Sequence, residues 1–244
     1  MPLWQYVLLF LLVLGGGLVA LRFAERRGPV GLLLSFSGAY ILGVTVLHLL
    51  PSVFHTGAHT PGLWVLSGFL LQLTLEQLSA GVEHGHIHAH HNATKRFALP
   101  IMLGLCVHAL LEGFPLGSYE TLHAHTHHGH NHGEAHLFWG IILHKIPAAF
   151  ALSAVLQLSG FSRRFVLSMI AIFALMSPLG ALASEFLPLG TVWQERLLAV
   201  VVGSFLHIST TILFEADSTQ HHRISWRKLG VILAGMGMAL TTLL

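Results

Sequence analysis

The stretch IILHKIPAAF, residues 141–150, lies inside an apolar run that extends from Leu137 to Leu158. A run of about 20 apolar residues is long enough to cross the hydrocarbon core of a bilayer as a helix. This run nevertheless contains His144, Lys145 and Pro147. A charged side chain at the bilayer centre costs about 3 kcal/mol on insertion scales, so an ionisable group inside a span indicates a functional site.

The rest of the chain has the same apolar character. Of its 244 residues, 54% are apolar and 9% are charged, and the mean hydropathy is +0.72. A soluble domain carries about 25% charged residues, so the composition predicts an integral membrane protein whose surroundings are a lipid bilayer. The single cysteine, Cys106, excludes an intrachain disulfide framework.

Eight apolar segments have the length of a membrane span. They cover approximately residues 3–22, 31–52, 62–82, 97–118, 137–158, 164–186, 196–214 and 228–244. The connections are short, so we expect one domain over residues 1–244, folded as an all-α bundle of eight transmembrane helices. The first segment is expected to be a retained span, because its basic residues follow the apolar run instead of preceding it.

Basic residues are distributed unevenly between the connections. The connections after spans 1, 3, 5 and 7 hold Arg22, Arg26, Arg27, Lys95, Arg96, Arg163, Arg164, Arg223, Arg227 and Lys228, whereas those after spans 2, 4 and 6 hold Arg196. Cytoplasmic loops carry the excess of Lys and Arg. The distribution therefore predicts a multi-pass protein of the cell membrane with both termini outside the cytoplasm.

Histidine is unusually frequent, with 20 residues, and most of them fall into two runs. The runs EHGHIHAHH (83–91) and HAHTHHGHNHGEAH (123–136) define His-rich loops at 83–96 and 119–136. Their candidate auxiliary metal ligands are His84, His86, His88, His90, His91, His123, His125, His127, His128, His130 and His132. Neutral imidazole binds zinc and similar cations, so we expect weak, poorly selective metal binding; a polar loop of biased composition is the alternative.

Four further histidines lie within the predicted spans. His48 and His207 are expected to hydrogen-bond a backbone carbonyl. His108 stands four residues before Glu112 in HALLEGFPLG, so both project from one face of span 4. Proline inside a helix removes a backbone hydrogen bond and kinks the helix, and spans 4, 5 and 6 each contain one, at Pro115, Pro147 and Pro178.

The side chains in spans 4 and 5 form a candidate metal site. His108, Glu112 and His144 would supply two imidazoles and one carboxylate, a ligand set suited to Zn²⁺, Fe²⁺ or a similar divalent ion. The alternative is that these groups and Lys145 form interhelical hydrogen bonds or an ion pair with no metal.

Three other stretches carry a family resemblance: GAYILGVTVLHLLP (38–51), SPLGAL (177–182) and GSFLHISTTILFEA (203–216). With the eight spans and the His-rich loop between spans 3 and 4, they resemble the ZIP (ZRT/IRT-like) family of divalent metal transporters over essentially the whole chain. The resemblance implies that spans 1, 4, 5 and 6 carry the ion against spans 2, 3, 7 and 8. It also implies cation flow into the cytoplasm, and it allows a homodimer.

The sequence departs from the motifs of that family. The family's span 4 motif is His-Asn-x-x-Asp/Glu, and this chain has His108, Ala109 and Glu112 at those positions. The family's span 5 motif is His-Glu-x-Pro-His-Glu; this chain keeps His144 and Pro147 but has Lys145, Ala148 and Ala149 at the other three positions. In span 6, Ser177 stands where some relatives have a carboxylate. The family's second metal position therefore lacks its acidic ligands. We expect one site formed by His108, Glu112 and His144, with Lys145 supplying the positive charge of the missing second ion.

These features predict a transporter of divalent transition metals, with Zn²⁺ as the first expectation and Fe²⁺, Mn²⁺ or Cd²⁺ as others. No catalytic cofactor, nucleic-acid partner or enzymatic activity is expected, and no GxxxxGK[ST] motif indicates a pump. Two alternatives remain at this point. A transport-incompetent metal sensor or scaffold would explain the lost family ligands. An intramembrane zinc metalloenzyme would use an open fourth position, although the chain has no H-E-x-x-H motif.

Overall fold

The computed structural model describes residues 1–23, 28–54, 60–84, 94–123, 132–187, 190–215 and 225–243. Nine α-helices lie within these ranges: α1 (Leu3–Phe23), α2 (Gly28–Val44), α3 (Leu50–Phe54), α4 (Pro61–Ser79), α5 (Lys95–His123), α6 (His132–Leu158), α7 (Arg163–Phe186), α8 (Thr191–Glu215) and α9 (Trp226–Leu240). A π-helical turn (Thr45–Leu49) joins α2 to α3, and short 3₁₀ helices cover Val82–His84 and Thr241–Leu243. The all-α class is therefore confirmed.

Six helical segments are long and apolar enough to cross a membrane, so the chain is a multi-pass membrane protein. They are Leu3–Phe23, Val30–Phe54, Lys95–Gly117, Leu137–Leu158, Arg163–Phe186 and Thr191–Phe214. Helices α4 and α9, with 19 and 15 residues, correspond to the two remaining predicted spans. The count of eight spans stays a prediction.

Helices α5 and α6 extend further than the predicted spans 97–118 and 137–158. Helix α5 ends at His123 and α6 begins at His132. The second His-rich segment, predicted to be a loop over 119–136, overlaps the end of α5 and the start of α6. The described helical turns continue there, because a helix retains its backbone hydrogen bonds beyond the apolar part of its sequence.

In contrast to a soluble protein, this bundle has large apolar side chains on its outer surface and charged side chains in its interior. Large apolar residues such as Leu63, Leu99 and Phe214 are 68%, 70% and 80% exposed, whereas Glu112 and Lys145 are each 1% exposed. Such an arrangement is stable when lipid covers the outer surface and the polar groups find partners between the helices. The functional chemistry of the chain therefore lies inside the bundle.

Helices pack in four principal pairs: α5 on α7, α4 on α8, α1 on α6 and α2 on α9. Two glycines make the first two pairs very close. A Cβ atom at Gly180 of α7 would lie 2.0 Å from the carbonyl oxygen of Leu110, and one at Gly203 of α8 would lie 1.9 Å from that of Val65. Small residues allow such backbone contact between membrane helices, and both contacts bring polar side chains on neighbouring turns within hydrogen-bonding distance.

Candidate metal centre

The three predicted ligands come together between α5 and α6. The candidate ligand atoms of His108, Glu112 and His144 all lie within 4.8 Å of one another. Each residue is at most 2% exposed. We call this group the core cluster. The i,i+4 spacing on α5 places His108 and Glu112 one turn apart on the same face, and α6 supplies the second imidazole from the opposite side.

Several polar atoms of the core cluster lack hydrogen-bond partners within the described residues. They are Nε2 of His108, Oε2 of Glu112 and Nδ1 of His144. Nε2 of His108 lies 3.2 Å from Oε2 of Glu112, but the two are not aligned as a hydrogen bond. Buried polar groups are ordinarily paired because desolvation without a partner is costly. Two nitrogens and one oxygen without partners, facing one space, fit a divalent cation.

Lys145 completes the charge balance of the core cluster. Its Nζ lies 2.9 Å from Oε1 of Glu112 and 4.5 Å from the centre of the Phe173 ring, and it donates a hydrogen bond to Oγ of Ser177. The Ser177 hydroxyl lies 2.7 Å from the carbonyl oxygen of Ala109 and 3.0 Å from the same Glu112 oxygen. The ammonium of Lys145 and the carboxylate of Glu112 together carry no net charge. A divalent ion bound here would have Oε2 of Glu112 and the imidazoles of His108 and His144 as its ligands.

A second group of acidic and imidazole side chains lies between α4, α8 and the 3₁₀ turn Val82–His84. It consists of Glu76, Glu83, His84 and His207, and we call it the α4–α8 cluster. Nε2 of His207 contacts Oε2 of Glu76. Nδ1 of His84 lies 3.2 Å from Oε1 of Glu76, and its Nε2 lies 3.8 Å from Oε1 of Glu83. Burial raises the pKa of the Glu83 carboxyl to about 7.

The structure corrects the expectations for three histidines: His84 and His207 in this cluster, and His48 outside it. His84 was assigned to an open loop, but it is buried between helices. His207 and His48 were expected to bond backbone carbonyls, but His207 contacts the Glu76 carboxylate and His48 contacts the Thr242 hydroxyl. His207 and Glu76 are 131 residues apart and His48 and Thr242 are 194 residues apart, so no local spacing indicates either contact.

Two polar side chains connect the clusters. Oγ of Ser204 lies 3.4 Å from Nδ1 of His108 and donates to Oε1 of Gln72, at 2.9 Å. Nε2 of Gln72 in turn donates to Oε1 of Glu83, at 2.8 Å. The α4–α8 cluster and the core cluster therefore belong to one continuous polar path inside the bundle.

The remaining candidate ligands are not placed by the structure. His86, His88, His90, His91, His125, His127, His128 and His130 lie outside the described residues, and His123 and His132 are helix ends whose side chains are not described. Their predicted role in auxiliary metal binding stays a prediction.

The chain is a multi-pass helical membrane protein that buries two His side chains and one Glu side chain close together between its helices. Within that class, the chain belongs to the ZIP zinc transporter family. The family model described as "ZIP Zinc transporter" matches residues 83–244, which include every residue of the core cluster. The resemblance seen in the sequence is therefore confirmed.

Curated relatives agree with this assignment. The chain is 29% identical to zinc transporter ZIP9-B of Xenopus laevis over 180 residues, which is 68% of this chain and 56% of that relative. It is 27% identical to zinc transporter ZIP9 of Micropogonias undulatus over 158 residues, which is 61% of this chain and 49% of the relative. The chain thus spans about half the length of the curated relatives it matches.

Proposed function

We propose that this protein transports a divalent transition metal, with zinc as the first candidate, into the cytoplasm through the core cluster. The observation that carries the proposal is the convergence of His108, Glu112 and His144, with three buried polar atoms directed at one space. Membership of a zinc transporter family supports transport over enzymatic turnover. Zinc here is cargo, held by three protein ligands with a fourth position open to water.

The membrane arrangement is part of the proposal. Helices α4 and α9 complete a set of eight spans, and the basic residues place the connections after spans 1, 3, 5 and 7 in the cytoplasm. Pro115, Pro147 and Pro178 lie inside α5, α6 and α7, near the core cluster. We propose that they kink these helices and provide an ion path lined by freed carbonyl oxygens. The family resemblance also allows a homodimer.

Lys145 takes the place of a second metal ion in this proposal. The carboxylate of Glu112 is buried and would be costly to leave without a positive neighbour. Lys145 lies 2.9 Å from Oε1, and Oε2 remains directed towards the imidazoles. The core cluster should therefore hold one ion, and not two. Replacing Lys145 by Glu restores acidic ligand chemistry and should allow a second ion to bind there.

Uptake of radioactive zinc into proteoliposomes tests the function. The wild-type protein should accumulate Zn²⁺ inside the vesicles, and the variant with both His108→Ala and His144→Ala should lose at least about 99% of this activity, because two of three ligands are gone. The variant His48→Gln is the matched control, since it changes a histidine of a span outside both clusters. Near-normal uptake by the double variant, at equal insertion, would refute the assignment of the core cluster as transport site.

A further inference from the structure

We propose that Lys145 is the specificity-determining residue of the core cluster, held in place by Phe173 and Ser177. It makes the core cluster favour ions that bind imidazole nitrogen, such as Zn²⁺, over ions that need several oxygens, such as Mn²⁺, Mg²⁺ and Ca²⁺. This inference rests on the proposed transport function, because it names the class of ion that the same site accepts and the class that it rejects.

The ammonium of Lys145 is held by side chains of two neighbouring helices. Helix α5 supplies Oε1 of Glu112, 2.9 Å from Nζ, and α7 supplies the hydroxyl of Ser177, to which Nζ donates a hydrogen bond. The centre of the Phe173 ring lies 4.5 Å from Nζ, within the range of a cation–π interaction. An ammonium has three N–H donors, so these three partners account for all of them.

The two partners on α7 form one receptor for the lysine. Phe173 and Ser177 are four residues apart, so their side chains lie on one face of α7, about one turn from each other. A close backbone contact sets their distance from Glu112. A Cβ atom at Gly113, the next residue of α5, would lie 2.2 Å from the carbonyl oxygen of Ser177. The packing of α7 on α5 therefore brings the receptor to the carboxylate with which Lys145 pairs.

Lys145 leaves one carboxylate oxygen of Glu112 for a metal ion. Oε1 contacts Nζ of Lys145 and lies 3.0 Å from the hydroxyl oxygen of Ser177, whereas Oε2 has no hydrogen-bond partner within the described residues. An ion can bind Oε2 but cannot take both oxygens while the lysine stays in place. Together with the imidazoles of His108 and His144, the core cluster offers two nitrogens and one oxygen.

This ligand set separates divalent ions by their chemistry. Imidazole suits Zn²⁺, whereas Mg²⁺, Ca²⁺ and Mn²⁺ prefer the oxygens of carboxylates, carbonyls and water. An ion held mainly by nitrogen loses little when one carboxylate oxygen is withheld. An ion held mainly by anionic oxygen loses a ligand, and it also loses net negative charge, because Lys145 compensates Glu112. The lysine therefore penalises the oxygen-seeking ions most.

Competition between metal ions tests the proposal. The parent is the full chain in which the histidines of 85–91 and 124–131 are replaced by serine, and equilibrium dialysis of Zn²⁺ and Mn²⁺ measures its two dissociation constants. The ratio of the constant for Mn²⁺ to that for Zn²⁺ should fall by at least about tenfold in Lys145→Met, because Oε1 and the charge of Glu112 become available. An unchanged ratio would overturn the proposal.

Two further variants separate a buried charge and a buried ring from the specific roles proposed here. Lys228→Met removes a buried lysine outside both clusters and should keep the ratio of the parent; a fall as large as that in Lys145→Met would refute the specific role of Lys145. Phe173→Leu removes the ring and should lower the ratio by less than Lys145→Met does, whereas Phe173→Tyr keeps the ring and should keep the ratio. An unchanged ratio in Phe173→Leu would show that Phe173 does not position the lysine.

Uptake into proteoliposomes separates this inference from the proposed function. If the wild type does not accumulate Zn²⁺, the proposed function fails, and the dissociation constants alone judge the role of Lys145. If the wild type accumulates Zn²⁺ and Mn²⁺ equally well, the proposed function stands and the proposed specificity is wrong.

A structure of the unmodified protein with bound Zn²⁺ covers the case in which the variants do not fold. Zinc should bind Oε2 of Glu112, while Nζ of Lys145 stays on Oε1 and beside the Phe173 ring. Zinc bound to both carboxylate oxygens, with Lys145 turned away, would overturn the proposal.

Discussion

The core cluster and the α4–α8 cluster use the same kinds of side chain, but they balance charge in different ways. In the core cluster, Lys145 pairs with the one carboxylate, at 2.9 Å. In the α4–α8 cluster, Glu76 and Glu83 contact the imidazoles of His84 and His207. The core cluster thus pairs its carboxylate with a lysine ammonium, and the α4–α8 cluster pairs its carboxylates with imidazoles.

The charge of Lys145 should affect how strongly the core cluster attracts a divalent ion. A fixed ammonium beside the ligands weakens the attraction of the core cluster for a divalent ion, since like charges repel at short range. Among the described residues, the ion-pair contacts of the α4–α8 cluster are between carboxylates and imidazoles.

The largest expected effect comes from Lys145→Met, which removes the fixed cation. Breaking a buried ion pair leaves Glu112 uncompensated and costs about 3–5 kcal/mol of unfolding free energy. Metal should then restore stability, since a ligand at 100 times its dissociation constant contributes about 2.7 kcal/mol. Unfolding in detergent, with and without Zn²⁺, measures both effects.

Lys228→Met is the matched control for that experiment, because Lys228 is a buried lysine outside both clusters. Zn²⁺ should stabilise the Lys145→Met variant more than it stabilises the Lys228→Met variant or the wild type. Equal stabilisation of all three proteins would show that Lys145 does not compete with the cation.

The two glycine contacts offer a way to perturb each cluster separately. Gly180→Ala should separate α7 from α5 and displace Ser177 from Glu112, whereas Gly203→Ala should separate α8 from α4 and displace Ser204 from Gln72. Overpacking of this kind costs about 1–3 kcal/mol. Cd²⁺ titration should show weaker binding at the core cluster in the first variant and a smaller change in the second, because Ser177 contacts Glu112 whereas Ser204 bonds Gln72.

Gly31→Ala is the control, since a Cβ atom there meets no atom within 4 Å. If both glycine variants weaken the same site, the two clusters do not depend on separate helix pairs. The contrast drawn here between the two clusters would then be wrong.

Ser204→Ala should have a smaller effect, because it removes only the hydrogen-bonded link between the clusters. Its hydroxyl bonds Gln72 and approaches His108, and one such bond contributes about 1 kcal/mol. Zn²⁺ uptake should slow by less than about tenfold, with the number of bound ions unchanged. Loss of a bound ion in Ser204→Ala would mean that Ser204 is a ligand and not a link.

The smallest effect is expected from the histidines of 85–91, which are not members of either cluster as defined above. Replacing His86, His88, His90 and His91 by serine should change the apparent affinity of uptake by less than about tenfold, or about 1.4 kcal/mol. Replacing His84 alone should have a larger effect, because its imidazole contacts Glu76. Equal effects of the two changes would show that the contact between His84 and Glu76 has no influence on uptake.

The amino-acid sequence was enough to predict the class of the protein and the candidate ligands of the core cluster. Apolar runs long enough to span a bilayer leave a helix as the natural structure, since lipid cannot satisfy backbone polar groups. The spacing of His108 and Glu112 fixes them on one helical face. The motifs in spans 2, 6 and 7 were enough to indicate the family, which the comparison with known sequences confirmed.

Which distant side chains meet depends on the tertiary structure. That His144 faces His108, and that Lys145 reaches Glu112 and Ser177, depends on the packing of α5, α6 and α7. The α4–α8 cluster shows this most clearly, because Glu76 and His207 are 131 residues apart in the chain. Helical periodicity specifies the face on which a side chain lies but not the helix that covers it. That choice is made by close contacts such as the one at Gly203, where the absence of a side chain lets two backbones touch.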